Sequence, residues 1–220
     1  MKPENIIDNI LFVFFSNNIR YRDKSSLLSK FKERPSFSNS QEIILPLPDD
    51  IPPDVPLMFL SKKGEFEIKF SKGRIDFTYT NITNFEIAVK EIFEILDMEM
   101  QHIGMVINSH INNFDKSLIN SKIERLYSDI GKELFNIPNS VETILRTLSH
   151  KEIQYKQKDI KINQSVMVSS SPSQVNVNYD QNTFPSTNLT INDELISYFI
   201  IMTFENSNAF NKEIIAKAFK

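Results

Sequence analysis

The sequence predicts an α+β fold: antiparallel sheet, with a β-meander covered by amphipathic helices. Three observations predict it. Residues 65–70 and 74–79 alternate apolar and polar side chains with the period of a half-buried strand. Residues 85–96 then carry apolar groups at helical spacing. Helices and meander-like strands recur after residue 112, although no internal sequence repeat accompanies them.

The first element is the apolar run Ile10, Leu11, Phe12, Val13, Phe14 and Phe15, which reads as a central strand buried on both faces. Asp23 is placed to N-cap a short helix carrying Leu27, Leu28 and Phe31, which must end before Pro35. Six prolines between positions 35 and 56 leave a long loop, with Ile43, Ile44 and Leu45 as an edge strand within it.

The meander follows. Residues 57–60, 66–70 and 74–79 are its strands, and Phe66, Ile68, Phe70, Ile75, Phe77 and Tyr79 form its buried face. Gly73, in the turn, is expected at positive φ. Thr83 and Glu86 have capping-box spacing, so Thr83 is the expected N-cap of a helix that buries Phe85, Val89, Ile92, Phe93 and Leu96. Ile103, Met105, Ile107 and Ile111 then alternate as a further strand, which completes an N-terminal half, 1–112.

In the C-terminal half, 113–220, an amphipathic helix is expected over 116–135. A second starts at Pro138 and continues through Val141, Ile144, Leu145 and Leu148. Strands are expected at 153–155, 160–162, 166–168 and 175–177. Asn192 caps a closing helix, and Asn206, Ser207 and Asn208 divide it from a final one. The halves are expected to form one compact unit.

Composition narrows the chemistry. Eighteen Phe and thirty Ile against four Ala and four Gly describe a core of large side chains. A net charge of −3 gives no general attraction to nucleic acid or anionic membrane. The chain has no cysteine, which excludes disulfides, thiol nucleophiles and thiolate metal sites. With no signal-like start, the expected compartment is the cytoplasm.

Asn84-Phe85-Glu86 after a strand pair, and later Ile103-Gly104-Met105-Val106-Ile107-Asn108, carry a resemblance. In both motifs the region 66–112 resembles a sporadically distributed family of uncharacterised bacterial proteins of about this length. There a strand pair precedes a Tyr-x-Asn-Phe/Trp-Glu helix start and an Ile-Gly-Leu-x-Tyr-x-Asn strand. His102 stands where that family has Arg, and Ile107 where it has an aromatic residue. The resemblance implies a fold and an association with defence, immunity and toxin–antitoxin genes. It implies no catalytic residue.

No glycine-rich phosphate loop or nucleophile elbow is present. His102 and His110, eight residues apart on one strand, stand roughly 26 Å apart and so bind no common metal. With Asn108 they are the only candidates for an enzymatic pocket; His150 is expected at a helix end. Two surfaces remain. Arg20, Arg22, Lys30, Lys32 and Arg34, interleaved with Tyr21, Phe31 and Phe37, could track a phosphate backbone. Residues 195–204 are apolar around the whole helix, which makes Ile196, Phe199, Ile201, Phe204 and Phe210 a candidate interface with a partner protein or a second copy.

The expected function is therefore a non-catalytic protein-interaction component of a bacterial or phage defence, immunity or toxin–antitoxin system, an antitoxin or antiviral factor acting as a homodimer or with another protein. The alternative is a nucleic-acid-binding module using residues 20–34. No cofactor, metal or membrane is expected.

Overall fold

A computed structural model describes residues 4–16, 19, 21, 23–48, 50–97, 100–112, 143–170, 174–185 and 190–218. The helix expected over 116–135, the helix start at Pro138, and Arg20 and Arg22 lie outside them.

The apolar run that opens the chain does lie at the centre of the sheet, inside a longer strand, β1 (Glu4–Phe15). Helix α1 (Lys24–Lys32) follows, started by Asp23, whose carboxylate accepts the Ser26 N–H at 2.9 Å. The proline-rich segment contributes one edge strand, β2 (Gln41–Ile44), exposed along its whole length. Strands β3 (Met58–Lys62), β4 (Phe66–Phe70) and β5 (Arg74–Tyr79) form the predicted meander, with Phe66, Ile68, Phe70, Ile75, Phe77 and Tyr79 buried. Helix α2 (Phe85–Leu96) covers it.

Two local expectations are corrected here. Gly64, not Gly73, takes positive φ. A side chain at Gly73 would meet the Pro53 carbonyl at 3.2 Å, and that carbonyl accepts the Gly73 N–H at 2.7 Å, so close approach is what requires glycine there. Nor does Thr83 cap α2. It sits inside a 3₁₀ turn (Ile82–Asn84) that Asn81 caps through the Thr83 N–H, and Asn84 precedes the helix.

The second part runs β6 (His102–Asn112), β7 (Thr143–Tyr155), β8 (Lys158–Ser170), β9 (Val175–Thr183) and α3 (Asp193–Ala218). Three expectations are overturned. The positions from Ile144 to Leu148 belong to a strand, because every residue of β7 finds a partner in β8. The segments 160–162 and 166–168 are one strand. Asn206, Ser207 and Asn208 interrupt nothing, since α3 is continuous and Ser207 is buried within it.

The nine described strands form one antiparallel sheet in the order β2-β3-β4-β5-β1-β6-β9-β8-β7. The order is pseudo-symmetric. In each unit a run of antiparallel strands (β2 to β5, or β7 to β9) follows a first strand (β1 or β6) and is itself followed by a helix, and the last strand of the run returns to pair with the first. The units meet where β1 and β6 pair antiparallel, so β6 opens the second unit. The described helices all pack on one face, through contacts such as Phe12–Phe199, Phe31–Phe70, Phe77–Phe85 and Tyr179–Phe210. One side is therefore an aromatic and aliphatic core, and the other presents a sheet face rich in Asn, Asp and His.

Candidate functional site

Helix α3 decides what the helical layer can offer a partner. Asn192 starts it by accepting the Leu195 N–H at 2.9 Å, as its side-chain type predicts. Leu195, Ile196, Phe199 and Ile200 turn inward and are buried. Their row continues through polar groups, Thr203, Ser207 and Asn211, which are buried too. Strand β9 meets that polar row with a buried Gln181, which donates to the Thr203 hydroxyl at 3.0 Å. The Ser109 hydroxyl on β6 accepts from Asn211 at 3.5 Å. A helix apolar on all sides in its first half is thus taken up largely by its own sheet.

The five interface candidates separate accordingly. Ile196 and Phe199 belong to the intrachain core, Phe199 edge-on to Phe12. Phe204 and Phe210 are half-buried, against Phe85 and Tyr179. Ile201 alone is open to solvent, at 52% exposure. A residue that sequence reasoning did not single out joins it. Ile87 of α2 is 57% exposed and follows Glu86, whose carboxylate accepts the Ser197 hydroxyl at 2.8 Å, one helical turn before Ile201. The Glu86–Ser197 bond thus ties the outer surfaces of α2 and α3 together between two exposed isoleucines. Glu86 also pairs with Lys90 at 2.8 Å, and those hydrogen bonds hold its carboxyl below the usual range. The signal in the sequence was Ile87 itself, one position off the buried stripe.

Of the basic segment, Lys30, Lys32 and Arg34 are described. Lys32 pairs with Glu42 at 3.1 Å and Arg34 with Glu94 at 3.2 Å, while Lys30 is exposed. Phe31 and Phe37 point into the core, where they pack on each other and on Phe70 and Phe66. The aromatic groups needed to stack bases are therefore unavailable at those two positions.

The histidines lie on the other face of the sheet, each in its own setting. His102 stacks flat on Phe15, ring centroids 4.0 Å apart, and burial lowers its pKa. His110 Nδ1 donates to the Asp8 carboxylate at 2.7 Å, at the bulge where β1 slips register between Ile7 and Asn9. His150 Nδ1 is 2.7 Å from the Asn163 amide oxygen, and Asn163 donates onward to Asn182 at 3.1 Å. Asn108 does not face either β6 histidine as a partner. It is the middle of an amide row across three strands, accepting from Asn178 and donating to Asn9, both at 2.7 Å. Among the described residues no group of three or more His, Asp or Glu side chains is placed to hold a metal ion. Nor, among them, is any helix long and apolar enough to cross a membrane.

No family model matches the chain, and no curated protein matches it.

Proposed function

We propose that this protein is a non-catalytic interaction component that binds another protein through the outer surface of α2 and α3. The observation that supports this is the pair of exposed isoleucines, Ile87 and Ile201, flanking the Glu86–Ser197 hydrogen bond. Two exposed apolar side chains beside a hydrogen bond, with the charged Lys90 next to it, have the make-up of a small interface core with a polar rim. The resemblance over 66–112 supports placing it among bacterial or phage defence, immunity or toxin–antitoxin components in the cytoplasm. The alternative, nucleic-acid binding through residues 20–34, has less support, because Lys32 and Arg34 are engaged by carboxylates and Phe31 and Phe37 by the core.

The test is capture of partners from native lysate by the wild-type chain and by an Ile87→Asp/Ile201→Asp variant, with and without nuclease. Both side chains are exposed, so the variant should unfold at an unchanged temperature. A protein retained by the wild type and lost by the variant, independently of nuclease, is the expected result. Equal capture by both, or capture abolished by nuclease, overturns the reading.

A further inference from the structure

An edge strand presents a row of unpaired backbone N–H and C=O groups, and natural sheets protect such rows. The two edges of this sheet are treated differently. Strand β2 is four residues long and is followed by Pro46 and Pro48, which cannot donate to a ladder. Strand β7 is thirteen residues long, contains neither Pro nor Gly, and among the described residues pairs only with β8. Its residues 146–152 are all exposed, and Leu148 is 64% open to solvent.

We propose that β7 is a homodimerisation edge, pairing antiparallel with β7 of a second copy about a twofold axis at Ser149. The two nine-stranded sheets then join into one, with the helices of both copies on the same side.

The register follows from geometry and charge. A twofold axis normal to the sheet leaves every side chain on its own face. Paired residues must then have the same parity, and the axis must pass through a residue rather than between two. An axis at Leu148 sets Ile144 opposite Glu152 of the partner subunit. One at His150 sets Leu148 opposite Glu152 of the partner subunit, and one at Lys151 sets that lysine against its own copy. Like charges or an apolar group against a charge are unfavourable as direct cross-strand neighbours. The axis at Ser149 sets Arg146 opposite Glu152 of the partner subunit, twice by symmetry. It also sets Leu148 opposite His150 and Lys151 opposite Thr147. Arg146 and Glu152 lie on the same face of β7, and their present partners leave them available. Arg146 Nε donates to the Ser165 hydroxyl at 3.2 Å, and Glu152 is 3.6 Å from the Lys161 ammonium. This surface shares no residue with Ile87 or Ile201, so its failure and the failure of the α2–α3 reading are separable.

The absence of cysteine makes the test direct. In the proposed register the two Ser149 Cα atoms lie about 4.5–5.5 Å apart, within disulfide reach. Ser149→Cys should therefore form a disulfide-linked dimer on mild oxidation. The two Lys151 positions are displaced by four residues, roughly 13 Å along the strand, so Lys151→Cys should remain unlinked. In light scattering the wild type should be dimeric, Arg146→Glu and Glu152→Arg each monomeric, and Arg146→Glu/Glu152→Arg dimeric again. Circular dichroism of each variant checks that the chain is folded. A monomeric wild type, cross-linking at 151 but not at 149, or a double variant that stays monomeric overturns the proposal. The first of these leaves the edge to a strand of another protein.

Discussion

Ile10 and Ile107 are direct partners across the antiparallel β1–β6 pair, both fully buried, with Tyr79 beyond Ile10 and Tyr179 beyond Ile107. The row reads the same from either end, Tyr-Ile-Ile-Tyr, across the strand pair where the two units meet. Cross-strand neighbours on one face are the unit of sheet stabilisation, so this pair fastens one unit to the other.

The first prediction concerns that junction. Ile10→Val and Ile107→Val should each cost about 0.5–1.5 kcal/mol. Because the side chains touch one environment, the double variant should depart from the sum of the two by at least about 0.5 kcal/mol. Urea unfolding of the four proteins measures the coupling. Strict additivity would mean that the two residues pack independently.

A buried amide sets the second. Gln181 donates to Thr203 within a helix–sheet contact where both residues are fully buried. Thr203→Val keeps the shape and removes the acceptor, and should destabilise the protein by about 1–3 kcal/mol by leaving the Gln181 N–H without its partner. Thr203→Ser should recover most of the loss in thermal unfolding, since it restores the hydroxyl.

Asp180 supplies a pH-dependent prediction. Burial raises its pKa, against the opposing effects of the Asn182 hydrogen bond and the Arg146 charge. A carboxyl raised in the folded state is harder to ionise there than in the unfolded chain. Ionisation therefore subtracts stability at neutral pH. That loss is complete above the folded pKa and vanishes once both states are protonated, below about pH 3.9. Asp180→Asn should accordingly raise the melting temperature at pH 7, and the two curves should converge as pH falls through the folded value towards 3.9. A lower melting temperature at pH 7 would show that the attraction to Arg146 outweighs desolvation.

The β7–β8 turn yields the fourth. Lys156 and Gln157 both adopt positive φ, at 45° and 64°, in a two-residue hairpin that usually selects Asn-Gly. Non-glycine residues pay roughly 1–2 kcal/mol for this region. Gln157→Gly should raise stability by about 0.5–1 kcal/mol, after the greater entropy of glycine in the unfolded chain is subtracted. Denaturant titration of the variant reads this directly.

The elements that could be read from sequence are those whose instructions are local. The Asp23 and Asn192 caps, the period-two meander of 65–79 and the buried stripe of α2 each depend on residues a few positions apart. The exposed Ile201 was legible as a candidate for the same reason, from helical spacing alone. Residues 144–148 were not legible as a strand, although 153–155 were. Ile144, Leu145 and Leu148 satisfy helical spacing, and no glycine announced the turn at Lys156 and Gln157, so only the pairing with β8 settled the conformation. The same holds for α3. Asn206, Ser207 and Asn208 look like a break until Gln181 and Ser109 meet Asn206 and Asn211 from strands distant in sequence. Partnership across the sheet also decided that Phe199 is core, that Ile87 is surface, and that β7 is an edge. A hydrogen-bond partner or a packing neighbour far along the chain contributes free energy comparable to local propensity. Where the two disagree, the folded state follows their sum, and a window of sequence contains only one of the terms.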